Sequence, residues 1–314
     1  MRHTVELLSA TLICLALVFP GTVRAQTELP PQLEAVIDEA RANHASDYNR
    51  LKALEDLVPG NYLKARVQRP TAVRAIKRLR LHEGVLLEAL LRPSLELVAA
   101  QTFPPHIDEQ QKQYWRSQVM AALQTGAATA LTHQKTPHVR DALTLALQDR
   151  QYQSIHPALC VLYGRVARDS EGVARLSQIA KTSNGLIQES AIIGLGKTRQ
   201  LKAFEVLHEL LSDSAYLPVQ KTVLHAMGHL ADKAAQKANP LPSDARVRTM
   251  VTKAILSRID KPSALPHEDV ALTTLMLVTL PSELSVLESQ MVEARARQVV
   301  KPGFARIKRR SVRK

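Results

Sequence analysis

Three segments of the chain repeat one pattern of apolar and polar positions at a constant spacing. They read IHPALCVLYGRV at 155–166, IQESAIIGLGKT at 187–198 and VQKTVLHAMGHL at 219–230. Apolar residues hold the first, fifth, sixth and ninth positions of each segment, which is one face of a helix. The tenth position holds Gly164, Gly196 and Gly228, and such a glycine either caps the last turn or admits a neighbouring helix.

A second amphipathic stretch follows each of the first two segments. It reads GVARLSQIA at 172–180 and LKAFEVLHELL at 201–211, where Phe204, Leu207, Leu210 and Leu211 share one face. The repeating unit is therefore helix, short turn, helix. Because one such pair cannot bury its apolar face alone, the pattern predicts that successive pairs stack into a solenoid.

The segments ESAIIGLGKTRQLKAFEVLHELLSD and VQKTVLHAMGHLAD resemble the HEAT-repeat family in its short bacterial form. The resemblance is clear over 150–232 and fainter over 108–149 and 243–295, where helical periodicity persists but the register is lost. It implies an all-α fold, a right-handed α–α solenoid of HEAT-like pairs with flanking capping helices. It also implies protein binding more often than catalysis, and it carries over no set of catalytic residues.

Composition agrees with a helical fold, and the chain divides into four predicted regions. Aromatic residues make up 4% and glycine occurs 11 times, which favours helix over sheet. We predict a signal peptide at 1–25, an N-terminal helical cap or subdomain at 26–105, a HEAT-like solenoid at 106–297 and a basic disordered tail at 298–314.

The N-terminus carries the pattern of a secretory signal. Arg2 precedes the apolar run Leu7–Phe19, Pro20 and Gly21 break the run, and Ala25 supplies a small residue for cleavage. The sequence therefore predicts cleavage after Ala25 and a periplasmic or secreted protein. Cleavage would remove two cations and one acid, so the net charge would fall from +13 to +12.

Two basic segments, 64–80 and 295–314, contain no acidic residue. Either they bind anions such as phosphate groups, anionic lipid or cell-envelope polymer, or they are solvated basic surfaces. Export makes nucleic acid an unlikely ligand, and few aromatic side chains stand beside these segments to stack bases. The predicted anion-binding residues are Arg74, Lys77, Arg78, Arg306, Lys308, Arg309, Arg310 and Arg313.

Residues that could carry chemistry are isolated in the sequence. His225 and His229 have the spacing of a two-histidine metal pair, but no acidic or cysteine ligand adjoins them. We interpret them as one part-buried and one surface histidine. Cys160 aligns with Ile192 and Leu224, which predicts a buried structural thiol. We therefore predict no catalytic residues, no metal and no cofactor.

The sequence favours a scaffold or accessory subunit that binds a protein partner with an acidic surface. A binder of anionic polymer, membrane or nucleic acid through the basic segments is the alternative. An enzyme is a third hypothesis, since HEAT-like repeats resemble certain pigment lyases and DNA-repair glycosylases, although export counts against both. The repeat register predicts the partner-binding residues Gln188, Glu189, Lys197, Gln220, Lys221 and His229.

Overall fold

The structure, a computed structural model, describes residues 28–42, 83–93, 105–134, 136–213, 217–259 and 268–280. The predicted signal peptide, the basic segment 64–80 and the basic tail lie outside these residues. Every regular element in the described ranges is helical, so the all-α prediction is confirmed. None of the described helices is long and apolar enough to cross a bilayer.

The chain forms two compact units, unit 1 (Met1–Val166) and unit 2 (Ala167–Lys314). The division falls inside the predicted solenoid, so the first repeat segment belongs to unit 1 and the other two belong to unit 2. The helices of unit 1 are α1 (Pro31–Ala42), α2 (Glu83–Leu91), α3 (Glu109–Leu131), α4 (Pro137–Gln148) and α5 (His156–Val166), with a 3₁₀ segment at Arg150–Ile155.

Helix α2 lies at the centre of unit 1. Its sequence, EGVLLEALL, is apolar on most sides, and it packs against α1, α3 and α4. Val85, Leu86, Leu87 and Leu90 are at most 1% exposed, so burial of apolar area is the main force that holds this unit together. A Cβ on Gly84 would overlap the carbonyl oxygen of Val36, and the glycine therefore lets α1 pack closely on α2.

The helices of unit 2 are α6 (Ser170–Thr182), α7 (Gly185–Thr198), α8 (Leu201–Asp213), α9 (Leu217–Leu230), α10 (Lys233–Ala238), α11 (Asp244–Ile259) and α12 (Glu268–Val278). Helices α7, α9 and α12 pack side by side, and α6, α8 and α11 pack in the same order. Contacts between α6 and α7, α8 and α9, and α11 and α12 join the two rows. The predicted face of α8 is confirmed at Phe204, Leu207 and Leu211, which are buried, whereas Leu210 is half-buried.

At Gly196 the repeated glycine serves close helix packing and not helix capping. Gly196 and Gly228 lie inside α7 and α9, and the residue that caps the end of α7 is Arg199, which adopts the left-handed conformation with φ 57°. A Cβ on Gly196 would overlap the carbonyl oxygen of Ala226 on α9 and would lie 2.8 Å from the Cα of Ala226. The structure thus decides between the two roles that the sequence left open.

Helix α12 continues the row of α7 and α9, but more residues separate α12 from α9 than separate α9 from α7. Thr274 faces Gly228 as Ala226 faces Gly196. The hydroxyl group of Thr274 donates a hydrogen bond of 3.2 Å to the carbonyl oxygen of Leu224. The buried residues Val223, Met227 and Leu230 of α9 have counterparts with the same mutual spacing at Ala271, Leu275 and Val278. The additional chain between α9 and α12 includes α10 and the loop that leads to α11, which is why the register of the repeat is lost there.

Candidate partner-binding surface

The six residues predicted to bind a partner lie on α7 and α9 at equivalent positions. Gln188 corresponds to Gln220, Glu189 to Lys221, and Lys197 to His229, the members of each pair being one repeat apart. Because α7 and α9 pack side by side, the structure gathers these residues in one row of helices. Their exposure decides which of them a partner could reach.

Only Lys221 is exposed, and the other five residues are half-buried. The side-chain amide of Gln188 donates a hydrogen bond of 2.9 Å to the carbonyl oxygen of Ala180 and so links α7 to α6. Lys197, Gln220 and His229 each have an interaction of their own within the protein. The half-burial of His229 differs from the prediction of a surface histidine, whereas the part-buried position of His225 is confirmed.

Glu189 is a half-buried acid near the start of α7. Burial raises the pKa of its carboxyl group, and no cation among the described residues forms an ion pair with it. Its ionised form is therefore less stable in the folded protein than in water. A cationic group of a partner would stabilise that form, so Glu189 suits an ion pair with a partner.

Cys160 and the histidines form no reactive cluster within the described residues. Cys160 is fully buried in α5, and burial raises the pKa of its thiol to about 12. The prediction of a buried structural thiol is confirmed. The described residues contain no group of three or more His, Cys, Asp or Glu side chains able to hold a metal ion.

A buried ion pair that the sequence did not indicate joins the end of α7 to the start of α11. The guanidinium of Arg199 donates hydrogen bonds of 2.9 and 3.1 Å to the two carboxylate oxygens of Asp244. The two side chains are only 5% and 9% exposed. Asp244 also accepts a hydrogen bond of 2.7 Å from the backbone N–H of Leu241. The two residues are 45 positions apart, a separation that no helical period relates.

This ion pair and a hydrogen bond from Gln200 to the carbonyl oxygen of Arg168 bring exposed cations to one edge of unit 2. Arg168 precedes α6, Lys202 lies in the first turn of α8 and Arg246 lies in the first turn of α11, and all three are exposed. We call these three residues the basic edge. The signal that the sequence holds for this edge is a cation near the start of the second helix in each pair.

Comparison with known proteins adds no family to this description. No protein-family model matches the chain, and no curated protein is significantly similar to it in sequence. The HEAT resemblance therefore rests on the repeat pattern, and the eight predicted anion-binding residues lie outside the described residues.

Proposed function

We propose that this protein is an exported α-solenoid of HEAT-like pairs that serves as a scaffold or accessory subunit for a protein partner. The observation that carries the proposal is the row formed by α7, α9 and α12, with α6, α8 and α11 packed in the same order. Gly196 and Gly228 hold equivalent places in that row. Stacked helical pairs of this kind present extended surfaces that suit protein recognition.

Capture from native envelope extract tests the scaffold. Tagged full-length protein is incubated with the extract and washed first at low ionic strength and then at about 150 mM, where the screening length is about 8 Å. We expect one protein to be retained in near-stoichiometric amount after the second wash. A mixture of lipid, polysaccharide or nucleic acid that the second wash releases would contradict the scaffold.

That contrary outcome defines the alternative function, an electrostatic binder of anionic envelope polymer or membrane. It is favoured by the net charge of +13 and by the two basic segments, 64–80 and 295–314. Binding of this kind weakens steeply as salt rises, because each neutralised anion releases counterions. The two salt washes therefore separate the two functions in one experiment.

Export is part of the proposal and has its own test. We expect protein recovered from the envelope fraction of producing cells to begin at Gln26 when its N-terminus is sequenced, because Ala25 ends the predicted signal. As a control, Ala25→Lys should block cleavage and leave a longer chain. Recovery of the protein in the cytosolic fraction with the segment 1–25 still attached would contradict export.

A further inference from the structure

Helices α6, α8 and α11 all begin at the same edge of unit 2. Gln200 precedes α8, and Arg168 precedes α6. The side-chain amide of Gln200 donates a hydrogen bond of 2.7 Å to the carbonyl oxygen of Arg168. The two hydrogen bonds from Nη2 of Arg199 to the carboxylate of Asp244 bring the start of α11 to the same turn. The three starting turns are thus joined by hydrogen bonds.

The exposed charge at this edge is positive on balance, with three cations and two acids. Arg168, Lys202 and Arg246 are exposed cations. Arg168 has an interaction of its own within the protein, whereas no acid among the described residues forms an ion pair with Lys202 or Arg246. The first turns of three helices add the positive ends of their dipoles. The helix dipoles therefore add to a small net positive charge at this edge.

Two of the nearby acids are already engaged by hydrogen-bond donors. Asp169 accepts a hydrogen bond of 2.8 Å from the backbone N–H of Gly172 and caps the start of α6. Asp244 is buried between Arg199 and the N–H of Leu241. The exposed acids nearby are Glu171, in the first turn of α6, and Glu205, one turn beyond Lys202 on α8.

The charged form of Arg168 is disfavoured by its surroundings in the folded protein. Burial and the neighbouring charge of Arg199 both lower the pKa of the Arg168 guanidinium. A group whose charged form is disfavoured in this way is stabilised by an incoming anion.

We propose that the basic edge binds an acidic segment of the protein partner, through carboxylates placed against Lys202, Arg246 and Arg168. The inference rests on the proposed scaffold function and specifies the site and the chemistry of its partner. A membrane fits the edge less well, because peripheral membrane surfaces combine cations with apolar anchors. The exposed large apolar residues among the described ones are Tyr114, Leu217 and Leu277, and none belongs to the three starting turns.

Charge reversal in the full-length protein tests the site. The probe is a fluorescein-labelled peptide of about twelve glutamates, and binding is followed by fluorescence anisotropy at about 150 mM salt. We expect the double variant Lys202→Glu/Arg246→Glu to bind at least about tenfold more weakly than the wild type.

The matched control is Lys253→Glu/Arg150→Glu. It exchanges one lysine and one arginine for glutamate, so both double variants change the net charge by the same amount, and all four side chains are exposed. Lys253 lies two helical turns beyond Arg246 on α11, which is about 10 Å along the helix axis. We expect a loss of less than about threefold for the control. Equal losses in the two variants, or no loss in either, would overturn the proposal.

Hydrogen exchange provides a second measurement that does not depend on a variant. The peptide should slow amide exchange in the turns around 168–172, 200–204 and 244–248. Protection confined to the basic tail would overturn the proposal. Vesicles with about 30 mol% phosphatidylglycerol are the comparison probe, and loss of vesicle binding in the edge variant with peptide binding unchanged would also overturn it.

These results are separable from failure of the scaffold. If the wild type retains one envelope protein but the edge variant and the control retain it equally well, the basic edge is wrong and the scaffold stands. If the wild type retains no envelope protein at moderate salt, the scaffold is wrong whatever the peptide shows.

Discussion

Gly196 and Gly228 hold the same position in their helices but differ in what a methyl group would meet. At Gly196 the neighbours are backbone atoms of Ala226, including its Cα at 2.8 Å. At Gly228 the nearest atoms are side-chain carbons, Cγ2 of Thr274 at 3.1 Å and Cδ1 of Leu277 at 3.4 Å. Backbone can yield only if a whole helix moves, whereas a side chain can rotate, so the two glycines should tolerate substitution differently.

We predict that Gly196→Ala destabilises the protein strongly and that Gly228→Ala is nearly neutral. The first substitution should lower the free energy of unfolding by about 3 kcal/mol, because α7 and α9 must separate. The second should change it by less than about 1 kcal/mol, since a small steric cost is offset by the better helix propensity of alanine. Chemical denaturation followed by circular dichroism measures both, and equal effects would show that the packing of α9 on α7 is not closer than that of α12 on α9.

Cys160 offers a second test at the scale of one residue. In a Cys14→Ser variant it is the only cysteine, so a thiol reagent reports on it alone. Because the thiol is buried and burial raises its pKa from 9.0 to about 12, we expect no reaction in the native protein at pH 8 and one reactive thiol after unfolding in guanidinium. Rapid reaction of the native protein would contradict the burial.

The same shift predicts how stability depends on pH. The folded pKa lies above the unfolded one, so the contribution of Cys160 is fully present below pH 9.0 and is lost as the pH rises towards 12. The difference in unfolding free energy between the parent and Cys160→Ala should therefore shrink above about pH 9, as measured by denaturation at several pH values. A difference that stays constant up to pH 11 would be incompatible with the shift.

At the scale of elements, the pair Arg199–Asp244 connects the turn between α7 and α8 to the start of α11. Its two side chains are 5% and 9% exposed, whereas the pair Lys181–Glu209, which joins α6 to α8 at 2.7 Å, is 44% and 50% exposed. Solvent screens the exposed pair, so the two side chains of the buried pair should be coupled more strongly than those of the exposed pair.

We predict that loss of either partner from the buried pair costs about 3–5 kcal/mol, because the remaining charge stays buried. A double-mutant cycle with Arg199→Ala and Asp244→Ala should give a coupling energy above about 1 kcal/mol. The matched cycle with Lys181→Ala and Glu209→Ala should give less than about 1 kcal/mol. Similar coupling in both cycles would show that burial does not set the strength of these pairs.

The sequence predicted helices and their buried faces better than it predicted the surface. Phe204, Leu207 and Leu211 were recognisable because helical periodicity is a local property of the chain. Helix α12 lost its register because additional chain separates it from α9, and a fixed spacing does not detect an insertion. Gln188 was predicted on the surface, but its amide binds Ala180, and the pairing of Arg199 with Asp244 joins positions far apart in the chain. Both contacts depend on how helices pack, which no single period reports.

At the scale of the whole molecule, the proposed function involves two sources of attraction that would act over different distances. The basic tail carries seven cations and no acid between positions 298 and 314, so its removal would lower the net charge from +13 to +6. Attraction between solvated charges acts at long range in dilute buffer and is screened at about 150 mM salt. Contacts on folded helices act at short range and persist there.

We therefore predict that a variant lacking 298–314 captures less of the envelope partner than the full chain at low salt and an equal amount at about 150 mM salt. Its binding to vesicles with phosphatidylglycerol should fall at both salt concentrations, with a shallower dependence on salt, because fewer counterions are released. Quantitative pull-down and vesicle sedimentation measure the two quantities. Equal capture by both proteins at low salt would show that the tail has no part in finding the partner. Loss of capture at moderate salt would instead place the main contact in the tail, and the helical units would then serve as its support.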